Sequence, residues 1–286
     1  MGRARSFPRE VARILTPTGG YLRDFTHTLQ PYAGCEFSCA YCYVRELSVQ
    51  RANPHRLPWS EWIAPKTNAA ARLRGEAQRG IVAGARIFCS SATDPYTPME
   101  RRLEITRGCL EVLLEHPPAF LLVQTRSPLI ARDAELIARI PGSLASVTVT
   151  TDDDRVRRLL EPDSPSIATR IETLAALRAA GVRTQAAVSP LLPCDPARLA
   201  RLLEPVADRV VVDDFFRGDG AGGRRSRAAL ERLRTAGFAG WDEPGYADSA
   251  FEIFRGVFGA ERFGVSAAGF AAGYRAAEPS RGAAAR

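Results

Sequence analysis

The sequence of 286 residues predicts an α/β fold, a partial (β/α)6 TIM-like barrel. Short runs rich in β-branched and aromatic residues alternate with amphipathic helical stretches, which is typical of parallel strands joined by crossover helices. The hydrophobic content of 45% is enough to bury a large core, and one domain of this class commonly needs roughly 200 to 250 residues. Because six strands are predicted and a closed barrel has eight, the barrel is expected to be incomplete.

The predicted strands and helices follow one another in a regular order along the chain. Strands are predicted at residues 26–31, 86–90, 120–125, 145–150, 183–189 and 209–213. Helices are predicted at residues 103–115, 129–139, 167–180 and 196–206, with Gly181 as a stop after the third. Residues 53–67, rich in Pro and Trp, and the glycine-rich residues 217–227 interrupt this order and are predicted to be loops on the barrel rim.

The domain organisation is predicted to be simple. Residues 1–20 form an N-terminal extension, residues 21–275 the barrel domain, and residues 276–286 a disordered tail. No apolar run approaches the roughly 18 residues of a membrane span, and the polar start of the chain lacks the apolar segment of a signal peptide. We therefore expect a cytoplasmic protein without a membrane partner, and the sequence leaves its oligomeric state open.

The net charge of +7 suits an anionic partner such as nucleic acid. Lys66 is the only lysine, and the other residues of the Lys and Arg total are arginines. Codon composition is an alternative explanation for this bias towards arginine. No helix-turn-helix, RNA-binding aromatic signature or zinc finger is found. Four arginines surround the glycine-rich loop: Arg217, Arg224, Arg225 and Arg227. They could contact phosphates without reading a base sequence, or they could simply belong to a solvated loop.

Three of the six cysteines lie within eight residues. Cys35, Cys39 and Cys42 have the spacing C-x3-C-x2-C and follow the first predicted strand, at the rim where barrel enzymes place their chemistry. Such clustering in a chain of this length indicates a metal site in a reducing compartment and not a disulfide framework. Thiolates hold iron-sulfur clusters, and three ligands for four irons leave one iron open. A structural zinc site and an ordinary electron-transfer cluster are the alternatives.

With Tyr41 just before the third cysteine, this motif resembles the signature of the radical S-adenosylmethionine (SAM) superfamily. The resemblance implies a barrel of the radical SAM type, a 4Fe-4S cluster on the three cysteines, and SAM bound to the open iron. It also implies that the reduced cluster cleaves SAM to a 5'-deoxyadenosyl radical, which abstracts a hydrogen atom from the substrate. A reducing partner such as flavodoxin or ferredoxin is then expected.

Tyr41 and Tyr43 lie on both sides of Cys42, and predicted strand ends follow at Asp94, Arg126, Thr150 and Ser189. These segments, between about residues 30 and 206, resemble the spore photoproduct lyase-like subgroup, often labelled DNA repair photolyase. This resemblance implies a lyase or related radical reaction on a nucleobase or a nucleic-acid lesion. Modification of a peptide or a small metabolite is a second hypothesis, because one fold hosts many reactions. A non-catalytic iron-sulfur binding or electron-transfer protein is a third.

The subgroup resemblance also suggests residues that handle the radical. Tyr41 and Tyr43 flank Cys42 and match tyrosines of the radical-quenching path, although they could simply pack around the cluster. Cys89 lies near the position of the cysteine that donates a hydrogen atom to the product radical. Alignment on Asp94 places Ser91 at that position, but the period of a strand predicts that Cys89 and Ser91 share a face. A core position is the alternative for Cys89, and Cys194 is a rival donor.

For SAM, the resemblance implies contacts at the ends of several predicted strands. Arg126 is expected near the SAM carboxylate, where a guanidinium can form a forked pair, and Thr150 near the ribose. Ser189 is expected near the adenosine, and Asp94 and Tyr41 are assigned to the same cofactor site. Without the resemblance, Arg126 would be a solvated charge and Thr150 a strand-end residue.

The remaining polar residues are predicted to be structural. Asp152, Asp153 and Asp154 open a helix, where acidic side chains cap free N–H groups. Cys109, His27 and His116 are expected in structural positions on helices or strands. Glu161 and Arg170 belong to a turn and helix start that also occurs in the subgroup, and no role in the mechanism is predicted for them.

Overall fold

A computed structural model describes residues 4–53, 55–214, 221, 224 and 227–275. Its strands form two sheets, one of eight strands and one of three. In chain order the strands are β1 (Arg5–Ser6), β2 (Leu15–Pro17), β3 (His27–Leu29), β4 (Tyr32–Gly34), β5 (Trp62–Pro65), β6 (Arg86–Cys89), β7 (Phe120–Thr125), β8 (Ser143–Thr148), β9 (Thr184–Val188), β10 (Arg209–Val212) and β11 (Phe263–Val265).

The large sheet has the order β11-β10-β9-β8-β7-β6-β3-β2. Neighbouring strands in this order are parallel to each other, except that the edge strand β2 pairs antiparallel with β3. Each of β6 to β9 is joined to the next strand by a helical crossover, so the carboxyl ends of the parallel strands lie along one rim. The sheet is open, with β2 and β11 at its edges.

Helices connect and cover the strands. They are α1 (Ala69–Gln78), α2 (Glu100–Leu103), α3 (Ile105–Glu115), α4 (Ala134–Arg139), α5 (Asp154–Leu160), α6 (Ile167–Ala179), α7 (Pro196–Leu203), α8 (Arg227–Thr235), α9 (Pro244–Phe258) and α10 (Ser266–Arg275). Local chemistry fixes several starts: Ser166 Oγ accepts the N–H of Thr169 at 3.1 Å, and Asp195 caps α7 ahead of its first-turn proline.

The two faces of the sheet bury different sets of side chains. The outer face packs against α1, α3, α6, α7 and α9 in the main hydrophobic core. On the inner face, Phe88, Leu122 and Val211 share one cluster although they come from β6, β7 and β10. The ring of Phe270 on α10 lies 6.0 Å from the ring of Phe88, centroid to centroid. The sheet therefore curves around an interior that α10 fills, which is consistent with a partial barrel.

Close approach of α10 to the sheet depends on its small residues. A Cβ on Gly269 would lie 2.7 Å from the carbonyl carbon of Gly264, in β11, and 2.9 Å from Val211 Cγ1. Only glycine fits this contact without displacing the backbone. The sequence pattern did not predict α10.

The predicted α/β fold class is confirmed, with corrections to individual elements. All six predicted strands are present: the strand at 120–125 has the predicted bounds, and the others have shifted ends, for example 143–148 where 145–150 was predicted. A seventh parallel strand, β11, was missed. The predicted loop at 53–67 contains β5, and the predicted helix at 129–139 begins as a 3-10 turn, Pro128–Asp133, before α4. Helix α6 ends just before Gly181, as predicted.

Other predictions concern the ends of the chain and the membrane. Residues 15–17 form β2 in the large sheet, and the proposed domain bounds stay a prediction. The predicted tail at 276–286, together with Arg217 and Arg225, lies outside the described residues. Among the residues that the structure describes, no helix is long and apolar enough to cross a membrane.

The small sheet, with the order β1-β5-β4, leads the chain into the cysteine segment. Strand β4 pairs antiparallel with β5 and ends at Gly34, which has φ +76°. A Cβ at Gly34 would lie 2.5 Å from the carbonyl oxygen of Trp62. The last residue before Cys35 must therefore be glycine for the two strands to pair as they do.

Replacing Gly34 by alanine should displace β4 from β5 and move the cysteine segment. We expect a loss of unfolding free energy of about 2 to 4 kcal/mol, the sum of left-handed strain and overpacking. Gly80→Ala is the matched control, because Gly80 has φ +78° but open space around its Cα. Urea denaturation of both variants measures the difference, and equal losses would show that the contact with Trp62 does not matter.

Candidate active site

A cavity of about 520 Å³ opens at the carboxyl ends of the parallel strands. It is lined by residues that directly follow β6, β7, β9 and β10, and by the segment after β4. This is the end where barrel enzymes place their chemistry. The predicted site residues that line it are Cys35, Cys39, Tyr41, Cys42, Tyr43, Asp94, Arg126 and Ser189.

The backbone of the cysteine segment is held by bonds that involve no thiol. Arg45 donates from Nε to the carbonyl oxygen of Cys42 at 3.0 Å and from Nη2 to that of Cys39 at 2.7 Å. The N–H of Ala40 donates to the carbonyl oxygen of Leu160, at the end of α5, at 2.7 Å. The segment is therefore anchored to its own 3-10 turn and to α5, which leaves the thiols available to a ligand.

The three thiols all line one cavity. Within the described part of the chain, no three His, Cys, Asp or Glu side chains are grouped so that they could hold a single metal ion. Ligands of one zinc ion must all lie about 2.0 to 2.3 Å from it. The donor set, three thiols, is of the kind that holds iron-sulfur clusters.

Burial controls the protonation of these thiols. It raises the pKa of Cys42 to about 11 and also raises the pKa values of Cys35 and Cys39, because an apolar environment disfavours the thiolate. Arg126 opposes this rise at Cys39. A bound cationic metal centre offsets the cost of forming the three thiolates.

Below the cysteine segment, Glu161 joins four side chains in a buried network. Its Oε1 accepts hydrogen bonds from Tyr41, from Thr150 Oγ1 at 2.9 Å and from Arg126 Nη1 at 3.1 Å. Its Oε2 accepts a bond from Arg170, whose side chain is fully buried like that of Glu161. Burial alone would raise the pKa of Glu161, but the charges of Arg170 and Arg126 outweigh it and lower the pKa to about 2. Glu161 is therefore an anion that orients Arg126 and Tyr41.

Asp94 ties the ends of β6 and β7 together. Its Oδ1 accepts bonds from Thr125 Oγ1 at 2.5 Å and from the N–H of Tyr96 at 2.9 Å, and its Oδ2 accepts the N–H of Arg126 at 2.9 Å. Burial raises its pKa despite these bonds. Asp94 lines the cavity as expected for the cofactor site, and its described contacts fix the backbone that carries Arg126.

Comparison with known families decides what this arrangement belongs to. The family model described as the radical SAM superfamily matches residues 29–195, more than half of the chain. The chain belongs to the radical SAM superfamily. Radical SAM proteins use a 4Fe-4S cluster and SAM, and these are its cofactors. Cys35, Cys39 and Cys42 fit the cluster, and the strand ends around them fit SAM.

Relatives of this radical SAM protein occur in archaea, bacteria and phages. An uncharacterised protein of Methanocaldococcus jannaschii is 28% identical over 58% of this chain and 61% of its own length. One of Mycobacterium tuberculosis is 30% identical over 59% of this chain and 50% of its own. A radical SAM Nalpha-GlyT isomerase of Pseudomonas phage M6 is 29% identical over 71% of this chain and 42% of its own. The chain thus spans about half the length of these relatives.

Solved structures share the fold. A spore photoproduct lyase variant with dinucleoside spore photoproduct has a TM-score of 0.65 and 13% identity, covering 91% of this chain and 81% of that one. A second variant, with bound AdoMet and the same dinucleoside, has a TM-score of 0.57 and 14% identity, covering 85% and 77%. The predicted fold of the radical SAM type is confirmed.

Not every predicted site residue of this radical SAM protein reaches the cavity. Thr150 is fully buried, and its hydroxyl donates to Glu161. It therefore belongs to the network under the cysteine segment and is not among the cavity-lining residues. Ser189 does line the cavity. Tyr43 also lines it and donates from its hydroxyl to the carbonyl oxygen of Ser91 at 3.1 Å.

Cys89 lies on the opposite side of the sheet from the cavity. It is fully buried in the outer core with Cys109, and burial raises its pKa to about 12. The expectation that Cys89 and Ser91 share a face is wrong, because β6 ends at Cys89 and the alternation of a strand does not continue to Ser91, which lines the cavity. This position gives no support to Cys89 as a hydrogen donor.

The other candidates are structural, with one exception. Cys194 contacts Tyr246 Oη at 3.5 Å and packs against the outer core, away from the cavity-lining residues. Asp153 caps α5 through the N–H of Arg155 at 2.7 Å, and His116 ends α3, as predicted. The exception is Glu161, which the sequence signalled only through its recurrence with Arg170 in the subgroup.

Proposed function

We propose that this radical SAM protein is an enzyme that abstracts a hydrogen atom from a nucleobase or a nucleic-acid lesion. The observation that carries the proposal is that three cluster-spaced thiols, an oriented arginine and several strand ends line one cavity. When bound, the reduced cluster supplies one electron that splits SAM into methionine and a 5'-deoxyadenosyl radical. The protein contributes binding, orientation and exclusion of water.

Individual residues have distinct parts in this proposal. In the proposal, Cys35, Cys39 and Cys42 hold the cluster, and Arg126, which donates to Glu161, pairs with the SAM carboxylate. Hydroxyl-bearing strand ends that line the cavity, Ser189 among them, contact the nucleoside part of SAM. Apolar walls exclude water, which protects a radical from side reactions; they include Phe37, Val44, Leu47, Trp59 and Phe88.

The substrate class is supported by the fold and by charge. Spore photoproduct lyase shares this fold over 91% of the chain and has been solved with a dinucleoside photoproduct bound. The net charge of +7 favours a polyanion, and Arg224 and Arg227 are exposed. We infer that an electron reaches the cluster from a reducing partner such as flavodoxin or ferredoxin.

The test uses anaerobically reconstituted protein with dithionite and SAM, with and without UV-irradiated thymine oligonucleotides. We expect 5'-deoxyadenosine to form and the oligonucleotide to increase its yield. The increase should fall steeply with added salt, because phosphate contacts release counterions on binding. Mass spectrometry measures the products.

Two outcomes would contradict parts of the proposal. A loaded cluster that releases no 5'-deoxyadenosine would leave a binding or electron-transfer protein. If oligonucleotides do not change the yield of 5'-deoxyadenosine but peptides or a metabolite fraction raise it, the substrate class is different and the proposed radical chemistry stands.

A further inference from the structure

A second polar cluster lies at the edge of the cavity. Tyr21 Oη donates to Asp213 Oδ2 at 2.5 Å, and Ser266 Oγ lies 3.2 Å from the same oxygen and 3.4 Å from Tyr21 Oη. The three residues come from the segment before β3, the end of β10 and the start of α10. Tyr21 itself lines the cavity. Packing brings together a phenol and a carboxylate that are 192 positions apart in sequence.

The carboxylate of Asp213 can take up a proton. Asp213 is fully buried, and its Oδ1 has no hydrogen-bond partner among the described residues. Burial raises the pKa of Asp213 to about 6, and the adjacent Asp214 adds to the rise. Burial and Asp213 likewise raise the pKa of Tyr21, so its phenol stays protonated. The pair is a neutral phenol bonded to a carboxylate that accepts protons near neutral pH.

The other two tyrosines that line the cavity have different described partners. The hydroxyl of Tyr41 donates to Glu161, whose pKa is held at about 2 by two arginines, so this carboxylate accepts a proton poorly. The hydroxyl of Tyr43 donates to a backbone carbonyl oxygen, that of Ser91. The hydroxyl of Tyr21, in contrast, donates to Asp213, a carboxylate of raised pKa.

Thiols are the usual alternative as donors of a hydrogen atom. Among the described cavity-lining residues, the cysteines are those of the cluster motif. Cys89, Cys109 and Cys194 all pack in or against the outer core. A phenol can replace a thiol in this task because the unpaired electron of a phenoxyl radical spreads over the ring, which weakens the O–H bond.

We propose that Tyr21 is the hydrogen-atom donor of the cavity and that Asp213 is its proton partner. The phenolic O–H bond breaks homolytically, its hydrogen atom forms a C–H bond with a carbon-centred radical in the cavity, and a tyrosyl radical remains. One electron from the reductant of the cluster and one proton delivered through Asp213 then restore the phenol. The inference rests on the proposed radical chemistry and adds the residue that transfers a hydrogen atom to the product radical.

The test needs no identified substrate, since SAM alone generates the radical. Reconstituted protein, dithionite and SAM are incubated in D2O, and the deuterium content of the 5'-deoxyadenosine is measured by mass spectrometry. Because the phenolic hydrogen exchanges with solvent, donation by Tyr21 places solvent deuterium in the product, whereas donation from a C–H bond does not. Tyr21→Phe should lose the label. Tyr246→Phe is the matched control, because Tyr246 bonds to Cys194 outside the cavity.

A spectroscopic measurement separates a donor from a merely structural tyrosine. Freeze-quenched samples should show the electron paramagnetic resonance signal of a tyrosyl radical, absent in Tyr21→Phe and longer-lived in Asp213→Asn, which lacks the proton carrier. An unchanged label in Tyr21→Phe would overturn the proposal, and loss of the label in Tyr43→Phe alone would move the role to Tyr43. No 5'-deoxyadenosine in any protein with an intact cluster would instead overturn the proposed function itself.

Discussion

Replacement of Cys39 by alanine is expected to remove the 4Fe-4S cluster and abolish 5'-deoxyadenosine formation. Cys39 is buried in the cavity wall, and Arg45 holds its backbone carbonyl. The loss should exceed about 100-fold, because even an outer partner of a metal ligand typically contributes about 10- to 100-fold to metal affinity or activity. Iron and sulfide content and the yield of 5'-deoxyadenosine measure it.

Cys194→Ala is the matched control for this substitution. It makes the same chemical change in a partly buried cysteine outside the cavity, and it should keep both the iron content and the yield. A Cys39→Ala protein that retains a full complement of iron and sulfide would show that the three cysteines are not the ligands.

Replacement of Glu161 by alanine is expected to cause the largest loss of stability. Arg170 is fully buried and the side chain of Arg126 is 14% exposed, so both cations would lose their anion inside the protein. Removing one partner of a buried ion pair costs about 3 to 5 kcal/mol of unfolding free energy. Urea denaturation checks this value, and Glu161→Gln, which keeps the shape and one acceptor, should cost less.

The same carboxylate predicts a dependence on pH. The folded protein lowers the pKa of Glu161 from 4.5 to about 2, so its contribution to stability is fully present above pH 4.5 and is lost as pH falls towards 2. Glu115→Ala is the control, since Glu115 forms an exposed pair with Arg74 that should contribute less than about 1 kcal/mol. Similar small losses of unfolding free energy in Glu161→Ala and Glu115→Ala would show that Glu161 does not organise the site.

The parts of this structure that local patterns determine were predictable from sequence. The six strands alternate with amphipathic helices, and the cysteine spacing predicted the cluster ligands from a local motif alone. Cys89 was misplaced because the alternation of a strand was extended beyond the end of β6. Where a strand ends depends on its neighbours in the sheet, which the local pattern does not record.

The network around Glu161 shows a second limit of prediction. Its partners Tyr41, Arg126 and Thr150 come from separate segments, and a single sequence contains no signal that pairs them. The cluster of Tyr21, Asp213 and Ser266 was missed for the same reason. Such contacts depend on curvature of the sheet, which packing decides only once all strands are in place.

The position of α10 has a consequence for how the protein is made. The ribosome releases the chain from its N-terminus, so β3 through β10 emerge well before residues 266–275, which cover their inner face. Until then the nascent sheet exposes Phe88, Leu122 and Val211, and exposed apolar surface makes folding intermediates prone to aggregate. Chaperones that shield this face during synthesis should therefore raise the yield of the protein more than slower synthesis does.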